Sequence, residues 1–212
     1  MTIYLPERQH AIARHSAFVH ILPNNDPIPP QHPAFIDVLT DKLVTRRQLK
    51  SDALRLAFGL RHLSKFIIGG QDVKRGDILL TFSPNSLLYI PTMLATLAAG
   101  VVMAASGAAQ TAPELAYQIK LTNPQFYIIH PALLPTFLAA TALLKLDPAN
   151  LKRQTVLAIS DKRDLPRDVA AQGWTTTSDL IAHQNEWVPE SFDGDHAREV
   201  TLLGSGPNIS RD

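Results

Sequence analysis

The longest run without a charged side chain, between Asp77 and Glu114, constrains the fold of this chain more than any other feature. Residues 87–109 within the run are numerous enough to cross a bilayer. Turn and cap residues nevertheless interrupt it at Pro84, Asn85, Ser86, Pro91, Gly100, Ser106 and Gly107. We therefore predict a buried strand, helix and strand instead of a membrane span, because parallel strands covered on both faces appear as continuous apolar runs.

The elements of this unit follow from its residues. We predict one strand at 78–82 and a second at 101–105. Between them we expect a helix that is capped by residues 83–86 and that ends at Gly100. Pro91 conflicts with so early a start, because a proline inside a helix removes a backbone donor. The unit is a βαβ crossover, which we expect to be right-handed.

The rest of the chain repeats this alternation of strands and helices. A hairpin is predicted at 34–39 and 42–45, and a capping box of Thr45 with Gln48 opens a helix whose apolar side chains are Leu49, Ala53, Leu56, Leu60 and Leu63. A second box, Thr111 with Glu114, opens a helix to Leu121. Beyond it we predict a strand at 125–129, a helix at 131–144, a strand at 155–159 and a short helix near 178–183 in a polar stretch. The pattern predicts an α/β fold of βαβ units, with a mostly parallel sheet flanked by helices.

The charge balance and the absence of cysteine exclude several classes of function. The chain contains twenty Lys and Arg and nineteen Asp and Glu, and the two signs are interspersed along the sequence. There is therefore no basic patch, and we predict no nucleic-acid partner. Without cysteine there is no disulfide framework, thiolate nucleophile or Cys-based zinc site. Residues 1–20 carry Glu7, Arg8 and Arg14 and no continuous apolar stretch, so we predict no signal peptide. The default compartment is the cytoplasm.

Ligands of an open parallel sheet bind at the carboxyl ends of the strands, so the loops after Phe82, Ala105, His130 and Ser160 are the candidate site. Residues 83–86 could hold an anion at a helix N-terminus, but capping of that helix is the favoured interpretation. His130 is the histidine best placed to act as a base. Spacing assigns it no Ser or Asp partner, so a structural role is favoured over a catalytic one.

The motifs that usually bind nucleotides or metals are missing from the sequence. Neither GxxxxGK[ST] nor GxGxxG follows a predicted strand, and Gly204-Ser205-Gly206 is followed by a proline and no lysine. His10, His15 and His20 recur every five residues, which rotates each by about 140° around a helix from the last, so they cannot converge on a metal. We therefore assign no catalytic residue and no metal ligand, and the cofactor-binding residues stay unknown.

Five segments occur in a fixed order between about residues 30 and 185. They read LVTRRQL at 43–49, GD at 76–77 leading to FSPNS at 82–86, MLATLAAG at 93–100, TAPELAYQ at 111–118 and LTNP at 121–124. In this order and spacing they resemble the adenylate-forming acyl-CoA ligases, especially the 4-coumarate-CoA ligase-like group. The first segment is similar to that family's first core motif, and MLATLAAG to its second.

The resemblance implies the N-terminal half of the large domain of an adenylate-forming enzyme, truncated. Such enzymes activate a carboxylic acid with ATP and Mg²⁺ and usually transfer the acyl group to CoA. Their Ser/Thr/Gly-rich phosphate loop, which ends in a lysine, is due after residues 193–198, where this chain instead reads EVTLLGSGP at 199–207. We expect an extended lead-in at 1–33, a partial AMP-dependent synthetase/ligase N-terminal domain at 34–198, and an unrelated or disordered tail at 199–212. No catalytic residue of the family can be placed on this chain.

Three interpretations follow from the sequence. The favoured one is the N-terminal part of an acyl-CoA ligase that is inactive alone. The second is a non-enzymatic module that binds a ligand or a partner chain, and the third is an unrelated doubly wound nucleotide-binding domain. A fragment would leave apolar faces uncovered, which predicts self-association. A full-length form of the protein could be peroxisomal instead of cytoplasmic.

Overall fold

The fold is built on a central sheet of five parallel strands. The computed structural model describes residues 16–38, 41–183 and 185–189. The sheet strands are β3 (Ile78–Phe82), β4 (Val102–Ser106), β5 (Phe126–Ile129), β6 (Thr155–Leu157) and β7 (Thr175–Thr176). They lie in the order β4-β3-β5-β6-β7, and every neighbouring pair is parallel. This architecture confirms the predicted α/β fold with a parallel sheet.

A small antiparallel hairpin and a set of helices surround the sheet. The hairpin consists of β1 (Pro33–Ile36) and β2 (Leu43–Thr45), as predicted, and Thr40 of its predicted turn lies outside the described residues. The helices are α1 (Ala17–Ile21), α2 (Arg46–Arg61), α3 (Tyr89–Ala99), α4 (Ala112–Thr122), α5 (Leu134–Leu143), α6 (Pro148–Arg153), α7 (Arg167–Ala170) and α8 (Thr177–Ala182). Short 3₁₀ turns at Leu63–Lys65, Pro131–Leu133 and Lys162–Asp164 complete the set.

Two hydrophobic cores cover the two faces of the sheet. The first contains buried side chains of α2, α3 and α8 and takes Leu79 from β3 and Ile128 from β5. The second contains α4 and α5 and takes Leu80 from β3 and Ile129 from β5. Successive residues of a strand point to opposite faces, so each of these strands must be apolar on both sides. This explains why the uncharged run of the sequence forms a buried strand, helix and strand.

The start of α3 differs from the prediction. The helix begins at Tyr89, its N-cap residue is Leu88, and no side chain caps it, so residues 83–86 are not its cap. Pro91 explains the difference, because the later start places it in the first turn, where a missing N–H breaks no helical hydrogen bond. The end of α3 is as predicted, since Gly100 adopts the left-handed conformation with φ of 67°.

The starts of α2 and α4 agree with the prediction, whereas the helix predicted at 131–144 begins as the 3₁₀ turn Pro131–Leu133 and becomes α-helical at Leu134. The hydroxyl of Thr45 accepts a hydrogen bond from the N–H of Gln48 at 3.2 Å and so caps α2. At α4 the capping box is complete, with the Glu114 carboxylate accepting from the N–H of Thr111 at 2.8 Å. The sequence did not predict α1, α6, α7 or β7, which have two to six residues each. Elements this short carry too little periodicity to be recognised.

The lead-in chain is fastened to α2. The guanidinium of Arg46 pairs with Asp26, and Lys50 donates to the carbonyl oxygen of Pro23 at 3.0 Å. Phe18 of α1 is buried against the first core. Within the described residues no helix combines the length and the apolar character needed to cross a membrane.

Candidate functional site

The order of the strands creates a crevice between β3 and β5. The chain leaves β3 towards α3 in the first core, but it leaves β5 towards α5 in the second core. Because adjacent strands send their following segments to opposite faces, their carboxyl ends open between the two layers. Such a switch point is where open α/β sheets bind ligands.

A cavity of about 570 Å³ lies at this point. The loop after β3 lines it with Asn85, Ser86, Leu87 and Leu88, and the end of β5 contributes His130. Residues 158–160 after β6 and residues 35–38 of the hairpin complete the wall. Three of the four predicted loops therefore meet in one cavity. The fourth, with Ser106 and Gly107, does not line it because β4 is the outer strand of the sheet.

The described lining of this cavity contains few ionisable groups. Its ionisable lining consists of His130 and the carboxyl groups of Asp37 and Asp164, and among the described residues that line it there is no Lys or Arg. Much of the remaining wall is apolar, including Phe35, Leu87 and Ile159. The described lining therefore combines a largely apolar wall with two carboxyl groups and one imidazole.

His130 is oriented as a hydrogen-bond donor towards its surroundings. Its Nδ1 accepts the N–H of Ala132 at 3.3 Å and so caps the turn Pro131–Leu133. With Nδ1 occupied as an acceptor, the proton of the neutral ring resides on Nε2, which then donates. Burial lowers the pKa of His130, which favours this neutral form. The geometry thus favours the structural role over that of a base.

A second, more polar cavity of about 340 Å³ adjoins the first and shares Leu87, Leu88 and Ser160 with it. It lies between α2 and α8, and it contains Lys42, Asp52 and Arg55. Burial raises the pKa of Asp52, although Arg55 and a hydrogen bond from Gln48 oppose the change. Among the described residues, Lys42 and Arg55 therefore line this second cavity and not the one at the switch point.

The aspartates at strand ends have local roles. Side-chain hydrogen bonds from Arg163 lower the pKa of Asp161 to about 2, and the Nε of Arg163 lies 3.0 Å from this carboxylate. Asp77 accepts the N–H of Lys74 at 2.7 Å.

His10 and His15 lie outside the described residues. Within the described residues no three His, Asp or Glu side chains are arranged to hold a metal ion.

Sequence reasoning missed the hairpin residues 35–38 and the α2 residues Asp52 and Arg55. Both groups reach the carboxyl edge of the sheet only through tertiary packing of the hairpin and of α2. The spacing of Asp52 and Arg55 by three residues placed them on one face of a helix, and that was the one signal the sequence offered.

Similar proteins are plant CoA ligases. The chain is 32% identical over 121 residues to 4-coumarate-CoA ligase-like 3 of Arabidopsis thaliana, which covers 57% of this chain and 20% of the relative. It is 28% identical over 132 residues to peroxisomal OPC-8:0-CoA ligase 1 of the same plant, with 62% and 22% covered. The chain therefore spans about a fifth of the length of these curated relatives.

A solved structure shares the fold. An anthranilate CoA ligase in complex with anthranoyl-AMP superposes with a TM-score of 0.62 at 16% identity, over 85% of this chain and 30% of the other. The model of the family described as AMP-binding enzyme matches residues 26–196. This match excludes the third interpretation, an unrelated nucleotide-binding domain. It covers well over half of the 212 residues, so this chain belongs to the AMP-binding enzyme family.

Proposed function

We propose that this chain is the N-terminal part of an acyl-CoA ligase and that it does not complete the ligase reaction by itself. The complete enzyme would activate a carboxylic acid with ATP and Mg²⁺ to an acyl-adenylate and then transfer the acyl group to CoA. The family match over residues 26–196 carries the first half of the proposal. The lining of the cavity at the switch point supports the second half, namely that the chain does not complete the reaction by itself.

Adenylation moves negative charge onto a departing pyrophosphate. Such a step is accelerated by positive charges and donors that are fixed where the charge develops. The described cavity offers two carboxyl groups and no cation from its lining, and the cations Lys42 and Arg55 line the neighbouring cavity. Arg55 also lies 3.9 Å from Glu186, which offsets part of its charge. In this proposal ATP, Mg²⁺ and CoA are held by the complete enzyme.

A second candidate function is ligand binding without chemistry. The apolar wall of the 570 Å³ cavity favours it, because pockets of this size and lining bind small molecules. The ligand would be an acyl or aromatic compound whose polar end faces Ser86 and His130.

The boundary between residues 198 and 199 and the cytoplasmic location stay predictions.

Pyrophosphate exchange tests the proposal directly. We expect purified chain, given ATP, Mg²⁺ and a panel of aromatic and fatty acids, to show no acid-dependent exchange of pyrophosphate into ATP. A full-length 4-coumarate-CoA ligase in the same assay is the positive control. Calorimetry with the same acids measures binding separately, so heat of binding without exchange would support the second candidate. Acid-dependent exchange above the blank without acid would contradict our proposal.

The exposed apolar side chains predict self-association. Val38 is 89% exposed and Ile36 54%, both line the cavity, and Ile36 pairs with the exposed Leu43 of β2. We expect sedimentation velocity to show a weight-average mass that rises with concentration, and Val38→Ser to reduce that rise because it removes apolar surface. Tyr117→Ser is the matched control, because it removes an exposed apolar side chain from α4 and not from the hairpin. An equal reduction by both variants, or a constant monomer mass, would show that the hairpin is not the contact.

A further inference from the structure

One edge of the parallel sheet is formed by β4. Among the described strands, β4 pairs with β3 alone. The N–H of Val102 donates to the carbonyl oxygen of Asp77 at 2.9 Å, so the backbone groups of Val102 face β3. Along a parallel strand the N–H and C=O of one residue point to the same side, and those of the next residue point to the other. The backbone groups of Met103 and Ala105 therefore point outward.

These outward groups can act as a template for another strand. An unpaired strand edge favours pairing with a second chain, and natural proteins usually protect it with charged residues, a proline or a bulge. The sequence of β4, VMAAS, contains neither a charged residue nor a proline, and its five residues pair with β3 in unbroken register. Protection of this edge must therefore come from outside the strand.

Gln118 of α4 lies across this edge. Its Nε2 donates to the carbonyl oxygen of Ala105 at 3.0 Å, and the residue is only 6% exposed. If a further strand paired with β4, a backbone nitrogen of that strand would lie about 2.9–3.0 Å from the same oxygen. The side-chain amide of Gln118 thus occupies the place of that backbone nitrogen.

A second glutamine orients the amide of Gln118. The Nε2 of Gln110 donates to the Oε1 of Gln118 at 2.9 Å. Because the oxygen of the amide is held by Gln110, its nitrogen is the end that faces β4. Leu115 and Ile119, on either side of Gln118 in α4, are buried in the second core. The helix therefore cannot withdraw Gln118 from the edge without opening that core.

We propose that Gln118 closes the outer edge of the sheet, so that a second copy of this chain cannot pair with β4. Without its amide, the β4 strands of two copies would align antiparallel about Met103. The N–H and C=O of Met103 in each copy would then bond to Met103 of the other, which is the self-complementary contact of a two-fold dimer. This inference is independent of the reaction that the complete enzyme performs.

Sedimentation velocity and amide exchange test this role of Gln118. Both are measured in the Val38→Ser background, which removes the most exposed side chain of the hairpin. With Gln118→Ala we expect the weight-average mass to rise with concentration more steeply than in the background, from the monomer mass of 23.3 kDa towards twice that value. The exchange of the Met103 N–H should slow over the same concentrations, because pairing protects it. In the background this exchange should not depend on concentration.

Three controls accompany the variant. Lys120→Gln, at an exposed position of the same helix, should behave like the background. The N–H of Ala104 faces β3, so its exchange in dilute Gln118→Ala should equal that in the background if β4 keeps its place in the sheet. Gln110→Ala frees the amide of Gln118 without altering α4. It should produce both changes at smaller size, and it tests the proposal even if Gln118→Ala does not fold.

A measurement on the background protein tests the contact itself. The side-chain N–H groups of Gln118 should exchange more slowly than those of the exposed Gln31. Equal exchange for the two glutamines would overturn the proposal. So would a mass and a Met103 exchange that neither Gln118→Ala nor Gln110→Ala changes. A rise in mass without slower exchange of Met103, or an equal rise for Lys120→Gln, would place the association elsewhere and overturn it as well.

Discussion

Replacing Phe137 with alanine is expected to lower the free energy of unfolding by about 3–5 kcal/mol, the usual cost of removing a fully buried aromatic ring. Phe137 of α5 has no exposed surface, and its ring lies 5.0 Å from that of Tyr127 in β5. The pair joins the second helical layer to the sheet. The substitution would leave a cavity that neither α5 nor a hydrogen-bonded strand can easily close.

The neighbouring residue supplies a matched control. Leu138 lies on the same helix and is 37% exposed, so Leu138→Ala removes less buried surface, and we expect a loss of about 1 kcal/mol or less. Urea unfolding followed by circular dichroism gives both values. The slope of the unfolding free energy against urea concentration should be the same for the two variants if the folded state is preserved. Similar losses for the two variants would show that α5 does not pack on the sheet as described.

Replacing Gly59 with leucine is expected to cost about 3 kcal/mol, at the upper end for overpacking a core. Gly59 lies in α2 where α8 crosses it, and a Cβ atom at this position would lie 2.7 Å from the Cβ of Leu180 and 3.2 Å from its Cα. Leu180 is fully buried and cannot move aside as a flexible side chain would. The gain in helix propensity over glycine, about 0.8–1 kcal/mol, is smaller than this clash.

Gly107 is the control for this change. A Cβ added there meets nothing within 4 Å, so Gly107→Leu should alter the free energy of unfolding by less than about 0.5 kcal/mol. Because α2 and α8 form the walls of the polar cavity, Gly59→Leu should also increase the amide exchange of residues in α8. Unchanged stability for Gly59→Leu would mean that the two helices are farther apart than the structure places them.

Much of the fold could be predicted from local sequence patterns. The capping box of Thr111 with Glu114 and the left-handed Gly100 depend on a few neighbouring residues, and both are where the sequence places them. The start of α3 could not be predicted in the same way, because Ser83, Asn85 and Ser86 have the composition of a cap. Only the restriction at Pro91 showed that the helix begins later.

The candidate site was predicted in position but not in composition. The carboxyl ends of parallel strands must share one edge, so the loops after Phe82, His130 and Ser160 were expected to meet. The hairpin wall and the pair Asp52 and Arg55 arrive from elements outside the sheet.

The strand order described above also determines how the chain can assemble while it is being synthesised. β3 is the first strand of the sheet to leave the ribosome, β4 then joins one of its edges and β5 the other, and β6 and β7 each add beside the strand before them. No strand has to insert between two that are already paired. A nascent chain that stops after β4 or any later strand therefore already contains a contiguous sheet, and vectorial folding can proceed outward from β3 as each new segment emerges.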